Sequence, residues 1–119
     1  MKTYRIEKIV TREAVSGKKN GILVPIWKNT DPIEKINPRY VYFLTCKAGK
    51  MKGPYLHTKR RGLLTLIEGR VLLVFMHKGS FVEQSMDAKK HAVCADIPAR
   101  EGYLITNPFK KEARFIVIC

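Results

Sequence analysis

Apolar residues come in short stretches, each cut by turn residues. Tyr4 to Val10 alternates between apolar and polar positions, as a half-buried strand does. Gly17-Lys18-Lys19-Asn20-Gly21 reads as a turn, and Ile22 to Trp27 as an apolar stretch interrupted by Pro25. Asn29 to Asn37 contains Asp31-Pro32 and runs into Pro38, which marks a loop with room for one helical turn. Arg39 to Cys46 is rich in Tyr, Val and Phe, residues that suit a pleated strand. Lys47 to Lys52 is a basic turn around Gly49. Tyr55 to Arg61 and Leu63 to Ile67 read as extended segments on either side of Gly62. Glu68-Gly69 turns into Arg70 to Met76, and Lys78-Gly79 makes the next turn. Phe81 to Met86, Ala92 to Ile97, Tyr103 to Thr106 and Arg114 to Cys119 complete the strands. No long window carries an apolar stripe at helical spacing. Many short strands at close intervals predict an all-β sandwich or barrel, whose closure removes open edges.

Composition sets the scale. With 119 residues and no repeat or linker, residues 1-119 form a single domain. Hydrophobic residues make up 45% of the chain, too many for a disordered one. The apolar runs, such as Val71 to Met76, are too short to span a bilayer. The start, Met1 to Val10, lacks the apolar stretch of a secretion signal. Cys46, Cys94 and Cys119 are odd in number and sit in strand-like surroundings, which predicts reduced thiols in the cytoplasm. Charge changes the picture most. Lys and Arg number 23 against 10 Asp and Glu, a surplus of +13 that attracts nucleic acid, nucleotide phosphates or anionic lipid.

Candidate chemistry centres on the segment from Lys52 to Arg61. If it is extended throughout, Tyr55, His57, Lys59 and Arg61 share one face, and Leu56, Thr58 and Arg60 the other. A phenol and an imidazole beside fixed cations make a proton-transfer set for an anionic ligand. His57 is the candidate base. His77 reads as a turn histidine and His91 as a solvated one in a polar loop. His57 has no histidine two positions away, and the cysteines are distant in sequence, so no metal site is expected. The cations Lys47, Lys50, Lys52, Lys59, Arg60 and Arg61, with Tyr40, Tyr42 and Tyr55 as stacking groups, keep nucleic acid open as a partner.

The run Lys52-Gly53-Pro54-Tyr55-Leu56-His57, followed by Glu68-Gly69, resembles the first motif of cupins. That motif reads H-x-H, apolar strand residues, then a glycine turn; Tyr55 takes the first histidine's place and His57 the second's. Pro98, Gly102, Tyr103 and Asn107 resemble the second motif, with Tyr103 at the histidine and Asn107 keeping the asparagine. The resemblance spans residues 39-119. Within cupins the chain is most similar to relatives of dTDP-4-dehydrorhamnose 3,5-epimerase and the dTDP-4-keto-6-deoxyhexose 3,4-ketoisomerases. Those ketoisomerases carry K-R-V-Y-Y-I and then R-G-x-H-A-H-K. Arg39, Tyr42, Gly53 and His57 fall on matching places, and Lys52 replaces the arginine. Thr58 stands at the lysine's place, with Lys59 one position later. Tyr55 departs from the pattern, replacing a histidine counted as catalytic there.

The resemblance implies a cupin-type jelly-roll β-barrel that epimerises or isomerises a nucleotide-linked keto-sugar. His57 would be the base, with Tyr42, Tyr55 or Tyr103 as the acid. Arg39, Lys52, Lys59 and Arg61 would hold the substrate or its phosphates. No metal or organic cofactor is implied, and the relatives suggest a homodimer. A non-catalytic nucleotide-sugar binding module and a basic nucleic-acid-binding β-barrel are the rival readings.

Overall fold

The computed structural model describes residues 1–27 and 36–119. Most of the predicted Asn29–Asn37 loop lies outside them. Among the described residues there are eleven strands: β1 (Lys2–Glu7), β2 (Ile9–Arg12), β3 (Lys19–Leu23), β4 (Val41–Cys46), β5 (Met51–Tyr55) and β6 (Gly62–Glu68). They continue with β7 (Arg70–His77), β8 (Ser80–Asp87), β9 (His91–Ile97), β10 (Tyr103–Thr106) and β11 (Ala113–Ile118). Among the described residues no helix is long and apolar enough to cross a membrane.

The strands form two packed antiparallel sheets and a separate hairpin. One sheet has the order β1-β9-β6-β11-β4, the other β5-β10-β7-β8, and among the described residues β2 pairs only with β3. Most of the principal core lies between the sheets. Leu64, Leu66, Phe115 and Val117 of the larger sheet meet Val71, Leu73, Phe75 and Ile105 of the smaller. Residues one position away, Leu63, Cys94 and Ile118, point to the outer face of the larger sheet. Val24, Ile26, Trp27 and Ile36 pack over them there. Leu63 to Leu66 is therefore buried on both faces, which explains a leucine-rich run interrupted only by the buried Thr65.

Turn chemistry matches the connections. Lys78 and Gly79 both have positive φ, 49° and 78°, as the two-residue turn between β7 and β8 requires. Gly69 carries the chain from one sheet to the other with φ 92°. A Cβ there would lie 2.8 Å from the Glu112 carbonyl oxygen and 2.9 Å from the Ala113 Cα, so only glycine fits. Asn107 is buried at the end of β10. Its amide donates to the carbonyls of Cys46 (2.9 Å) and Lys111 (2.8 Å), and its Oδ1 accepts from the Phe109 N–H (3.1 Å). The asparagine thus ties the β10–β11 loop to the end of β4.

Several expectations change, among them the Gly17–Gly21 turn, whose last three residues belong to β3. The alternating stretch Tyr4–Val10 breaks at Lys8 into strands of different sheets. Lys8 turns its amine to the carbonyl of Ala88 at the start of the β8–β9 connection. Tyr55–Arg61 is not one strand: β5 stops at Tyr55, where its pairing with β10 begins at Tyr103. His91 is half-buried as the first residue of β9 rather than solvated in a loop.

Candidate functional site

One end of the sandwich brings an imidazole and several phenols together. Tyr42 comes from β4, Tyr103 opens β10, and His57 follows the end of β5. With Cys119 and the apolar Leu64, Ile97 and Val117 they line a narrow cleft of about 10 Å³, space for about one water. The ring centroids of His57 and Tyr103 are 6.4 Å apart. Tyr55 stands opposite Tyr103 in the register of β5 and β10, with ring centroids 5.3 Å apart and planes tilted by 45°. The Arg100 N–H donates to the His57 carbonyl at 2.7 Å, fixing the residue after its strand has ended.

Burial shapes the phenols. It pushes the Tyr103 hydroxyl well above its usual pKa, and the neighbouring Tyr42, Tyr55 and Cys119 push it further. Tyr42 is raised for the same main reason, with Cys119 and Tyr55 adding and the Arg60 cation opposing. Both phenols therefore keep their protons at neutral pH. They can donate a hydrogen bond to a developing oxyanion, or return a proton to carbon.

The cations are placed differently from the sequence expectation. Arg61 is the main correction. Its Nε and Nη2 each lie 2.7 Å from a carboxylate oxygen of Asp96 on β9, so its fork grips a protein carboxylate rather than facing a ligand. Arg39 and Lys59 are exposed outside the cleft lining. Lys52 is half-buried on β5, where its charge acts on the Cys46 thiol and lowers it against the stronger upward push of burial. The alternation that set Tyr55, His57, Lys59 and Arg61 on one face fails, because no strand continues past Tyr55.

Two residues at the mouth escaped sequence reasoning. Arg60 had been assigned to the opposite face from His57, yet its Nη1 lies 3.9 Å from the Cys119 Sγ and its charge reaches Tyr42. Cys119 lines the cleft, and its backbone pairs with Tyr40 in both directions at 2.9 Å. The pairing of β11 with β4 on one side and with β6 on the other brings these groups together. No local signal encodes it.

A larger cleft of about 430 Å³ lies at the other end of the sheets, between the β6–β7 corner and the β10–β11 loop. Size alone does not single it out. The imidazole and the raised phenols converge at the first end. Among the described residues no group of three or more His, Cys, Asp or Glu side chains is placed to hold a metal ion.

No protein-family model matches the sequence, and no curated relative does. Solved structures do match. The chain has the cupin jelly-roll fold, shared with a dTDP sugar isomerase from Desulfovibrio desulfuricans at TM-score 0.76 and 14% identity. That match covers 99% of this chain and 74% of the isomerase. A capsular polysaccharide assembling protein from Staphylococcus aureus, CapF, matches 66% of the chain at TM-score 0.59 and 22% identity. The match spans only 23% of CapF. A sugar phosphate isomerase of the cupin superfamily from Silicibacter pomeroyi matches at TM-score 0.53 and 22% identity, covering 66% of this chain and 47% of that one. Identities this low establish the fold alone.

Proposed function

We propose that the protein is a metal-independent isomerase or epimerase of a nucleotide-linked keto-sugar, with dTDP as the expected nucleotide. It would act in the cytoplasm on the way to a polysaccharide or deoxysugar product. The observation that carries this reading is the convergence of His57, Tyr42 and Tyr103 on one cleft. The likeness to a dTDP sugar isomerase over almost the whole chain supports it.

The chemistry needs only proton transfers. His57 takes the proton from the carbon beside the ketone, and the electron pair moves onto the carbonyl oxygen to give an enediolate. Tyr103 or Tyr42, held neutral by burial, donates a hydrogen bond to that oxygen. The same phenols, or Tyr55 stacked on Tyr103, return a proton to carbon. Reprotonation of the same carbon from the other face is epimerisation; reprotonation of the former carbonyl carbon, with the proton of the neighbouring hydroxyl passing to the enolate oxygen, is ketoisomerisation. Neither outcome consumes a reductant or a metal. A sugar ring is far larger than the present cleft, so binding requires residues 56–61, which lie outside any strand, to open. Lys59, exposed within this segment, and the exposed Arg39 are the cations placed to meet the diphosphate; Lys52 lies further along β5.

A homodimer is part of the proposal. Among the described residues the β2–β3 hairpin pairs with no other strand, and it exposes Ile9, Val10, Ile22 and Leu23. An isolated two-stranded hairpin is marginal in water, and a second copy would cover it.

The test is exchange of the sugar proton into deuterium oxide, beside calorimetric titration with dTDP-linked keto-sugars. His57→Asn keeps size and hydrogen bonding but cannot act as a base near neutrality. It is expected to bind like the wild type and to exchange about 10²–10⁴-fold more slowly. Exchange at the wild-type rate would remove His57 as the base. Tight binding without exchange in the wild type would favour the binding-module reading, which the replacement of a family histidine by Tyr55 already motivates.

A further inference from the structure

The basic surplus of this chain has a second focus, away from the histidine. β6 runs from Gly62 and Leu64 at the mouth to Glu68 at the opposite end, and there the 430 Å³ cleft opens. Four separate segments bring cations to it. Lys8 stands at the break between β1 and β2, Arg70 starts β7, Lys89 sits in the β8–β9 connection, and Lys110 and Lys111 lie between β10 and β11.

These cations lack carboxylate partners. Among the described residues no carboxylate oxygen lies within 4.0 Å of any of the five; the ion pairs are Arg61–Asp96, Arg114–Glu68 and Arg114–Glu112. Glu68, one of the two acids of the cleft, therefore faces Arg114. The other, Asp87, accepts the Lys89 backbone N–H at 3.0 Å. Two of the cations are held in place. The Arg70 guanidinium lies over the Phe109 ring, 4.4 Å from its centroid, and the Lys8 amine donates to the Ala88 carbonyl. Fixing them in advance reduces the entropy that an anion must overcome on binding. A second cleft of about 410 Å³ shares Asp87 and Lys89 and adds Arg5, Lys90 and His91.

Five converging cations repel one another, and their field is strongest inside a concave, low-dielectric wall. A ligand that relieves this must be compact and carry several negative charges, with oxygens that accept from both an arginine fork and lysine amines. We propose that this cleft is a binding site for a di- or triphosphate group, separate from the His57 mouth. Its volume lies within the 300–1,000 Å³ range usual for small-molecule sites. An extended phosphodiester chain would use cations spread along a track, whereas four chain segments bring these five to a single cleft, which favours the compact anion. The proposal does not rest on the isomerase reading.

Calorimetric titration with inorganic pyrophosphate, at about 0.15 M salt so that diffuse attraction is screened, tests it. Lys110→Gln/Lys111→Gln should weaken pyrophosphate binding about tenfold or more, and Arg70→Gln by a similar factor. Lys18→Gln/Lys19→Gln removes the same charge from the exposed β2–β3 hairpin and should change affinity less than about twofold. Equal losses in the two double variants would mean diffuse charge and overturn the site. So would the absence of pyrophosphate binding to the wild type, or binding of single-stranded DNA with no response to pyrophosphate. A parallel titration with a nucleoside diphosphate identifies the source of the phosphate: tighter binding than pyrophosphate means that the nucleoside is also held. His57→Asn should leave pyrophosphate binding unchanged, which separates this site from the failure of any reading of the mouth.

Discussion

At one end of the paired sheets an imidazole and two phenols close on space for about one water; at the other, five cations surround a cleft of about 430 Å³. The first end is built from strand ends whose side chains are buried and whose phenols keep their protons. The second is built from turns and strand breaks, where long charged side chains reach solvent. The contrast separates two inferences that the net charge of +13 merges. Surplus charge points to an anionic ligand, but not to where proton chemistry happens. Conversely, the group best placed for proton transfer lies where the one well-formed arginine fork is already spent on Asp96.

The largest expected effect comes from Gly69, at the corner beside the basic cleft. Gly69→Ala forces a Cβ into the backbone at Glu112 and Ala113 at a positive φ. It should cost about 3 kcal/mol in urea unfolding, while the His57 mouth, at the far end of β6, keeps its ligand preference. Loss of mouth binding without loss of stability would show that the two ends are coupled. Next in size is Arg61→Ala, which leaves a mostly buried Asp96 carboxylate unpaired. About 2 kcal/mol of stability should be lost, and Arg61→Ala/Asp96→Ala should recover much of it. If instead ligand affinity falls with stability intact, the fork faces a phosphate after all. The smallest effect is Tyr103→Phe. The folded state holds the Tyr103 proton more tightly than the unfolded chain does. The resulting stability is complete below about pH 10, the ordinary phenol value, and is lost as pH rises beyond it. Melting temperatures followed from pH 8 to pH 11 should fall less steeply in Tyr103→Phe than in the wild type, with a change at neutral pH under about 1 kcal/mol. An identical alkaline slope would mean that Tyr103 is not the buried phenol that distinguishes the mouth.

Most of the strand pattern was legible because alternation and turn residues agree. Tyr103–Thr106 is a strand over the residues its sequence marks, and Lys78-Gly79 forms the turn its residue types suit. What failed was set by distant partners. Lys8 breaks an alternating stretch because the chain crosses there from one sheet to a separate hairpin. The face assigned to residues 55–61 dissolved because the β5–β10 pairing stops at Tyr103. Asp96, 35 positions from Arg61, gives no local sign that it will take the guanidinium. His57 was legible as an imidazole among cations, whereas Tyr103 was legible only by resemblance to the second cupin motif. Arg60 and Cys119 join the mouth through packing that no spacing predicts.

The register that sets Lys2 opposite Asp96 also bears on how the molecule comes together. The β7–β8 hairpin closes through a two-residue turn and carries little loop entropy, whereas β1 and β9 must meet across most of the chain. Such a topology orders assembly in time. The local hairpin is expected early, with its contacts largely made in the rate-limiting ensemble, and the β1–β9 seam late. Folding should then take milliseconds to seconds. Substitutions in β1 should speed unfolding and leave the folding limb of a chevron almost unmoved, whereas those at the Lys78-Gly79 turn should slow folding.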